Sequence, residues 1–227
     1  MNKVGLLVVV LVMLGASGIF FWNDSAMAPA KPTVVEPTVL EPAEPEPGKA
    51  KATFASGCFW CTDAVFRQLK GVSSVVSGYS GGTMPNPTYA DICTGLTGHA
   101  EAVQVTYDPK VISYPELLEV FWKTHDPTTP DQQGPDHGPQ YRSVVFYHTD
   151  DQKKLAEQYK AKLDKGGVFN QPIVTQIVGF KEFYRAEEDH QNYYAANKTT
   201  AYCQVMIGPK IKKIHDLFKD KLIEGAK

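Results

Sequence analysis

The segment GCFWC at 57–61 places two thiols around two aromatic side chains, at a point where a strand is predicted to meet a helix. Residues 52–55 are typical of the end of a strand, and apolar residues with helical spacing follow Cys58. Ser56 is the predicted N-cap, which would put Cys58 in the first helical turn. Unpaired backbone N–H groups and the helix dipole favour an anion there, so we predict that the pKa of Cys58 is lowered. The segment therefore predicts a thiolate nucleophile beside an apolar surface.

The cysteine pair has other conceivable uses. A tetrahedral zinc site needs four ligands, but the remaining cysteines, Cys93 and Cys203, stand far apart and form no second pair, so we expect no bound metal. A thiol–disulfide oxidoreductase that uses Cys58 and Cys61 is the alternative function, although such motifs usually carry Gly and Pro between the sulfurs. A third class, a membrane-tethered peptide-binding module that relies on Trp60 and nearby tyrosines, would need no thiol.

The composition sets broad limits on the fold and on the partners. The chain has 227 residues, 43% of them hydrophobic, and a formal net charge of −2. This size allows one well-packed domain plus an accessory segment. There is no excess of basic residues, so nucleic acid is not an expected partner.

The N-terminus carries an uncharged apolar stretch of nineteen residues, Val4–Trp22. This length is sufficient to cross the hydrocarbon layer of a bilayer, so we predict a membrane-spanning helix within residues 1–22. The segment is either an uncleaved anchor or a signal. A small-residue cleavage pattern stands at 26–28, but Pro29 would follow the cut and signal cores are usually shorter. We therefore expect an uncleaved membrane anchor.

Residues 23–49 are rich in Pro, Glu and Ala and lack the apolar content to fold, which predicts an extended linker. A Pro-rich recognition peptide is the rival interpretation. The linker would hold a folded domain at 50–227 away from the membrane, on the periplasmic or extracellular side. If the N-terminal segment is cleaved, the domain would instead be secreted and soluble.

From residue 51 onward, strand and helix patterns alternate. The patterns predict strands at 52–55, 72–79, 102–107, 143–148 and 173–180, and helices at 58–69, 114–124 and 150–163. The first six elements follow the order strand, helix, strand, strand, helix, strand, which is typical of a split βαβ unit. We therefore predict an α+β fold, a ferredoxin-like two-layer sandwich with its helices on one face of the sheet.

Three further stretches carry more polar, aromatic and acidic side chains than solvation needs. They are residues 86–89, 97–101 and 136–143. Taken singly, each of these side chains has an ordinary role in a turn or at a strand end. In company with the GCFWC segment, they resemble the motifs of one known family.

The chain resembles the A-type peptide methionine sulfoxide reductases from about residue 51 to residue 213. The stretches that carry the resemblance are GCFW at 57–60, GYSGG at 78–82, NPTYADICTG at 86–95, GHAEAVQVTYDP at 98–109, HDPTT at 125–129, QYRSV at 140–144, FYRAEEDHQNYY at 183–194 and YCQVMIGPK at 202–210. Their number and their order along the chain make the resemblance specific.

The resemblance implies roles for five residues in the reaction. Cys58 matches the nucleophile that attacks the sulfoxide sulfur of an oxidised methionine. Glu101 matches the acid that protonates the departing oxygen, and a carboxyl group among apolar neighbours has the raised pKa that such a donor needs. The hydroxyls of Tyr89 and Tyr141 match those that bind the sulfoxide oxygen, and Asp136 matches a polar residue that helps to organise the site.

The resemblance also assigns the substrate pocket to Phe59 and Trp60. Their rings would pack against the terminal methyl group of the substrate, since both sulfur and methyl groups favour an aromatic face. The pocket would select the S epimer of the sulfoxide. The implied substrates are oxidised proteins and free methionine sulfoxide.

The reaction would leave Cys58 as a sulfenic acid, which a second thiol must convert to a disulfide. Two cysteines match resolving cysteines of the family, Cys203 near the C-terminus and the nearby Cys61. A disulfide between residues as close as Cys58 and Cys61 closes a tight ring, so we favour Cys203. Cys93 is expected to have no part. The final reductant would be a thioredoxin-like dithiol protein, with no metal or organic cofactor, and the domain is expected to be a monomer.

Overall fold

The computed structural model describes residues 39–40 and 47–225. The predicted anchor at 1–22 lies outside the described residues, as does most of the predicted linker at 23–49. Two residues of that linker, Val39–Leu40, form a short strand. None of the helices in the described part of the chain combines the length and apolarity needed to span a membrane.

The described residues form an alternating series of strands and helices. The strands are β1 (Val39–Leu40), β2 (Ala50–Ser56), β3 (Val72–Ser80), β4 (Ala100–Tyr107), β5 (Gln132–Gln133), β6 (Asp136–His137), β7 (Ser143–Tyr147), β8 (Gln176–Gly179) and β9 (Phe183–Arg185). The helices are α1 (Phe59–Phe66), α2 (Tyr89–Cys93), α3 (Tyr114–Thr124), α4 (Asp150–Lys165), α5 (Tyr193–Asn197) and α6 (Gly208–Leu217). Short 3₁₀ turns cover Pro139–Tyr141, Glu188–His190 and Lys219–Lys221, and a π-helical turn covers Cys203–Ile207.

Within the described residues, seven strands form one sheet in the order β1-β9-β3-β4-β2-β7-β8. All neighbours are antiparallel except β7 and β8, which are parallel. The central strands β3-β4-β2-β7, with α1 and α3 as the crossovers, have the order and the antiparallel pairing of the predicted split βαβ unit. The predicted mixed fold of helices on a sheet is confirmed, and three more strands extend the sheet at its two edges.

Side chains alternate between the two faces of the sheet, as the pleat of a strand requires. On one face Phe54 of β2 stacks on Phe66 of α1 and on Phe121 of α3, with 5.2 Å between ring centroids in both pairs. Val103 of β4 belongs to the same core. The opposite face has a smaller cluster made of Ala55, Ala100, Ala102, Val144, Phe146 and Phe183. Because Glu101 is two residues from Val103, its side chain is turned toward the helices, where α1 begins.

The start of α1 differs from the prediction. Ser56 is the last residue of β2 and does not cap the helix; its hydroxyl hydrogen-bonds that of Thr62 at 2.7 Å. Cys58 is the N-cap and the first helical residue is Phe59. The chain needs two residues after β2 to turn into the helix, which shifts the cap from Ser56 to Cys58.

Candidate active site

Gly57 makes the turn that presents Cys58 at the end of β2. Its φ of +88° lies in the left-handed region, which favours glycine. A Cβ at this position would lie 2.4 Å from the Cβ of Gln133, so strand β5 packs directly against the turn. Glycine is therefore required here both by backbone conformation and by space, and the position of Cys58 depends on it.

Glu101 reaches the same point from β4. Its side chain is buried, with 2% of the residue exposed, and Oε2 accepts the backbone N–H of Phe59 at 3.0 Å. This N–H is one of the donors that a helix leaves unpaired at its N-terminus. Burial raises the pKa of Glu101 to about 8, and the negative charge of Asp136 adds to the effect, although the hydrogen bond from Phe59 opposes it. The carboxyl group is therefore protonated at neutral pH.

Cys58 has a higher pKa than the sequence predicted. The prediction of a lowered pKa is wrong for this thiol: burial raises the pKa of Cys58, and so do the neighbouring Cys61 thiol and the charge of Glu101. Cys58 is 7% exposed, so lost hydration of the thiolate outweighs the favourable field of one short helix. Because Glu101 is itself protonated, its negative charge is absent at neutral pH and the obstacle to ionising Cys58 is smaller.

Cys61 stands one turn after Cys58, and its backbone N–H donates to the carbonyl of Cys58 at 3.1 Å. The neighbouring Cys58 thiol is the largest influence on Cys61 and lowers its pKa to about 7, with help from the positive charge of Lys210 and against the effect of burial. Because the Cys58 thiol favours the thiolate of Cys61, the first ionisation of the pair is easier than that of an isolated buried cysteine. The pair is therefore a source of thiolate near neutral pH.

The two aromatic residues after Cys58 occupy different depths. Phe59 is 1% exposed, and its ring lies 6.4 Å from the rings of both Trp60 and Tyr89. Trp60 is half-buried and stacks flat on Tyr193 of α5, with 3.7 Å between centroids. Phe59 is therefore the buried member, and Trp60 the half-buried member, of an aromatic cluster beside Cys58.

Tyr89 and Tyr141 approach the site from two other segments. Tyr89 begins α2, and Tyr141 ends the 3₁₀ turn that starts at Pro139. Both side chains are half-buried and pack against the main core. Burial raises the pKa of each phenol, and the next contribution in both cases is the charge of Glu101. The structure thus brings both hydroxyls into the electrostatic range of the buried acid.

Asp136 meets Tyr202, a residue to which the sequence assigned no role. The Tyr202 hydroxyl donates to Asp136 Oδ2 at 2.8 Å and lies 4.0 Å from the sulfur of Cys61. Its ring also meets the edge of Trp60, with 5.7 Å between centroids. The only sequence signal for Tyr202 was its place in the YCQV stretch, beside Cys203. It connects the loop of Asp136 to the thiol pair.

The other two cysteines differ sharply in burial. Cys203 is completely buried and belongs to an apolar cluster with Cys61, Ala64, Ile207 and Ile211. It begins the π-helical turn before α6, a rare geometry that is often found at functional sites. Cys93 is exposed at the end of α2, one turn after Tyr89. Cys203 is therefore placed near Cys61, and Cys93 lies at the surface near Tyr89.

Two residues that the sequence left without a role contact Tyr89 and Trp60. Glu187 accepts the backbone N–H of Tyr89 at 2.7 Å, and His190 accepts the indole N–H of Trp60 at 3.2 Å. Both lie in the FYRAEEDHQNYY stretch, which was noted only as a family motif. Among residues 39–40 and 47–225, no group of three or more His, Cys, Asp or Glu side chains lies close enough to hold a metal ion.

Comparisons with known proteins agree on one family. The family model described as peptide methionine sulfoxide reductase matches residues 50–222. The peptide methionine sulfoxide reductase MsrA of Sulfolobus acidocaldarius is 53% identical over 174 residues, which cover 75% of this chain and 96% of that protein.

Solved structures give the same result. The reduced form of Mxr1 from Saccharomyces cerevisiae has a TM-score of 0.64 and 36% identity, covering 73% of this chain and 93% of that one. Methionine sulfoxide reductase A of Corynebacterium diphtheriae has a TM-score of 0.62 and 35% identity, covering 68% of this chain and 78% of that one.

Proposed function

The chain belongs to the peptide methionine sulfoxide reductase family of oxidoreductases, and we propose that its site reduces the S epimer of methionine sulfoxide, free or in proteins, with Cys58 as nucleophile and Glu101 as acid. The observation that carries this mechanism is the contact between Glu101 and the N-terminus of α1. It holds a buried carboxyl group, protonated at neutral pH, beside the thiol at the helix N-cap.

The first step transfers oxygen from the substrate to the enzyme. The sulfur of Cys58 attacks the sulfoxide sulfur, and the sulfoxide oxygen takes a proton from Glu101. The oxygen then passes to Cys58, which becomes a sulfenic acid, and methionine is released as the thioether. Because Cys58 loses a proton and Glu101 supplies one, a proton returned from the thiol to the carboxylate restores the acid, and the burial of both groups keeps this exchange local.

The tyrosine hydroxyls and the aromatic pocket position the substrate. Tyr89 and Tyr141 stay protonated because burial raises their pKa values, so each has a hydroxyl hydrogen to donate to the sulfoxide oxygen. Phe59 and Trp60 offer ring faces to the methyl group on sulfur. A pocket that binds oxygen on one side and methyl on the other distinguishes the two epimers.

The sulfenic acid is then resolved by a thiol. Cys61 lies one turn after Cys58, with its backbone N–H on the Cys58 carbonyl at 3.1 Å, and the charge of Lys210 favours its thiolate, so it is positioned to attack the sulfenic acid with water as the leaving product. Cys203 lies in the same apolar cluster as Cys61. These contacts support a relay in which Cys61 bonds to Cys58 first and Cys203 then exchanges into the disulfide, rather than the direct attack by Cys203 that the sequence favoured.

The cycle ends when the disulfide is reduced. The electrons must come from a dithiol, since the product of each turnover is one protein disulfide and one water. A thioredoxin-like protein is the proposed donor. The steps need no metal ion or organic cofactor, because each bond made or broken involves only sulfur, oxygen and protons.

We propose that the enzyme works outside the cytoplasm, held by its N-terminal segment. The support comes from the sequence, namely the uncharged stretch Val4–Trp22 and the Pro-rich residues that follow it. The catalytic domain would then repair oxidised proteins in the periplasm or at the cell surface.

The test is a single-turnover assay of the purified chain with a methionine sulfoxide peptide, with Cys58→Ser and Glu101→Gln as variants. Reduction that is abolished by Cys58→Ser and slowed by Glu101→Gln is the expected result. A thiol–disulfide oxidoreductase would need Cys58 but not Glu101 for its disulfide exchange. A peptide-binding module would need neither residue for binding. Turnover that survives Cys58→Ser would refute the mechanism.

A further inference from the structure

A cavity of about 440 Å³ opens on the face of the sheet opposite to the main core. We call it the back cavity. It is lined by the loop after β3 and by residues in or next to β4, β7 and β8, which include Gly81, His99, Arg142, Phe146, Lys181 and Glu182. Small-molecule sites in proteins enclose roughly 300–1,000 Å³, so the back cavity has room for a small ligand. Phe146 belongs to the cluster on the face opposite to Cys58, so this cavity is separate from the candidate active site.

Arg142 is a half-buried cation in the lining of the back cavity. Its guanidinium donates to the carbonyls of Pro139 at 2.8 Å and Gly98 at 2.9 Å, which leaves the other N–H donors of the fork for a further acceptor. Within residues 47–225, no carboxylate forms an ion pair with Arg142. Burial lowers the pKa of Arg142, and the charge of Asp131 opposes this effect only in part. A cation that has lost hydration without gaining a counter-ion favours an anion beside it.

The other charged groups of the lining leave the back cavity positive. Lys181 is exposed and has no ion pair with any residue in the described part of the chain. The carboxylate of Glu182 already accepts the hydroxyl of Tyr184 at 2.6 Å. Nδ1 of His99 accepts the backbone N–H of Gly82 at 3.0 Å, and burial lowers the pKa of this histidine, so its ring is neutral at pH 7. The lining therefore has two cations and one carboxylate.

The loop after β3 packs closely against the guanidinium. Gly81 has a φ of +83°, and a Cβ there would lie 2.7 Å from the ring of Phe146 and 3.3 Å from the guanidinium of Arg142. The absence of a side chain at this position therefore lets the loop pack on both residues. The back cavity consequently presents an aromatic ring and a guanidinium side by side, a combination that suits a small anion with an apolar part.

We propose that the back cavity binds a small molecule that carries an oxyanion, a carboxylate or a phosphate, between Arg142 and Lys181. The planar fork of a guanidinium matches the oxygens of both groups, and the lysine ammonium adds a second charge. Because the ion binds the folded chain, it also stabilises the contacts of Arg142 with Gly98 and Pro139. This inference goes beyond the proposed function, since no step of sulfoxide reduction uses the back cavity.

Calorimetric titration of the purified chain with sodium phosphate, and separately with sodium malonate, tests the proposal. The ionic strength is held constant with sodium chloride, because salt screens charge interactions. Lys181→Glu reverses one charge of the lining in an exposed side chain, so this variant should fold. Lys154→Glu is the matched control, since Lys154 is also exposed but lies on α4, whose Ala156 packs in the main core on the other face of the sheet.

Wild type should bind at least one of the two probes at a single saturable site, with a Kd of about 1 mM or tighter. Lys181→Glu should bind that probe roughly 10-fold more weakly, the effect of one lost charge-assisted contact, and Lys154→Glu should bind it as wild type does. Binding of phosphate alone assigns a phosphate ligand, and binding of malonate alone assigns a carboxylate. The absence of saturable binding for both probes would overturn the proposal, as would an equal loss of affinity in the two lysine variants.

Urea unfolding gives a second readout that needs no sulfoxide. The unfolding midpoint of wild type and of Lys154→Glu should rise when the bound probe is added, and that of Lys181→Glu should rise less. The comparison between variants is essential, because phosphate also stabilises folded proteins by exclusion from their surface. Arg142→Lys keeps the charge but not the planar fork, so its midpoint should also rise less than that of wild type. An equal rise in all four proteins would contradict a site at Arg142 and Lys181.

Discussion

The backbone N–H of Phe59 donates to Oε2 of Glu101 at 3.0 Å, so the acid is held by the first residue of the helix that follows the nucleophile. A protonated carboxyl group has one oxygen that accepts and one that donates. Because the N–H of Phe59 occupies the acceptor, the O–H is left free to point toward the substrate. The same contact therefore fixes both the position of Glu101 and the direction of its proton.

Glu101→Gln should slow the single-turnover reduction of a methionine sulfoxide peptide roughly 10²- to 10⁴-fold, the usual loss for a general acid. Glutamine keeps the shape and the acceptor for Phe59 but has no acidic proton. The wild-type rate should fall as pH rises through about 8, because burial raises the pKa of Glu101 to that value. Rapid quench of one turnover measures both effects, and a near-normal rate in the variant would assign the proton to another donor.

Glu101→Gln slows the reaction but should make the folded protein more stable than wild type at alkaline pH. The pKa of Glu101 is higher in the folded protein than in the unfolded chain, so wild type loses stability as pH rises from the unfolded value through about 8. Glu101→Gln has no such loss. Urea unfolding should therefore find the variant more stable than wild type at about pH 9 and closer to it at acid pH. Equal pH dependence in both proteins would refute the raised pKa.

Gly57→Ala should reduce both stability and the rate of sulfoxide reduction. The new Cβ would meet Gln133 at 2.4 Å on a backbone with φ of +88°. We expect a loss of more than about 1 kcal/mol in the free energy of unfolding. Gly48→Ala is the control, because φ there is +82° with no atom within 4 Å of the added Cβ, so it has the backbone strain without the clash. Equal effects of the two variants would show that the contact with Gln133 is unimportant.

Local patterns predicted the elements that have strong local signals. The predicted bounds of α3 match the structure because Ser113 and Glu116 form a capping box and apolar residues repeat along one side. The short elements α2, α5 and β9 were missed, since five residues or fewer carry too little periodicity. Helix α6 was missed too, although it runs for ten residues.

The site was only partly predictable for a related reason. Motifs identified the residues, but the pKa of Cys58 depends on burial by distant segments. The local helix signal predicted a lowered pKa, whereas burial raises it. The bond between Tyr202 and Asp136 joins positions 66 residues apart, which no local pattern encodes. His190 touches Trp60 across 130 residues for the same reason.

Tyr202→Phe should slow disulfide formation. The hydroxyl lies 4.0 Å from Cys61 and helps to lower its pKa, so its loss should raise that pKa and leave less thiolate at neutral pH. We expect a roughly 3- to 10-fold slower decay of the Cys58 sulfenic acid. Trapping of the sulfenic acid over time measures this rate. Tyr194→Phe is the control, because Tyr194 packs against the same apolar cluster. The Cys58 sulfenic acid of this variant should decay at the wild-type rate.

The N-terminal segment should hold the enzyme at a membrane. The stretch Val4–Trp22 is uncharged and long enough to span the bilayer, and the Pro-rich residues after it should be open to protease. We expect the protein in the membrane fraction, with its domain released by protease added from the non-cytoplasmic side. A soluble protein whose N-terminus begins near Pro29 would show that the segment is a cleaved signal.

The order of the thiols in recycling can be read from trapped disulfides. Cys61 lies one turn after Cys58, with its backbone N–H on the Cys58 carbonyl at 3.1 Å, and Cys203 is buried in the cluster of Cys61, so a relay through Cys61 is expected. Cys203→Ser should then trap a bond between Cys58 and Cys61, and Cys61→Ser should leave Cys58 as sulfenic acid for longer. Both variants should complete one stoichiometric turnover but lose thioredoxin-driven cycling, with partial rescue by dithiothreitol.

Cys93→Ser is the matched control for the relay. Cys93 is exposed on α2, so the enzyme with this substitution should cycle at the wild-type rate. Peptide mapping after one turnover identifies each bond. If Cys61→Ser cycles at the wild-type rate and accumulates a bond between Cys58 and Cys203, Cys203 resolves directly. If Cys203→Ser cycles normally, Cys61 alone is the resolving thiol. The relay requires that both Cys61→Ser and Cys203→Ser lose thioredoxin-driven cycling, because each thiol then carries a different step of the same electron transfer.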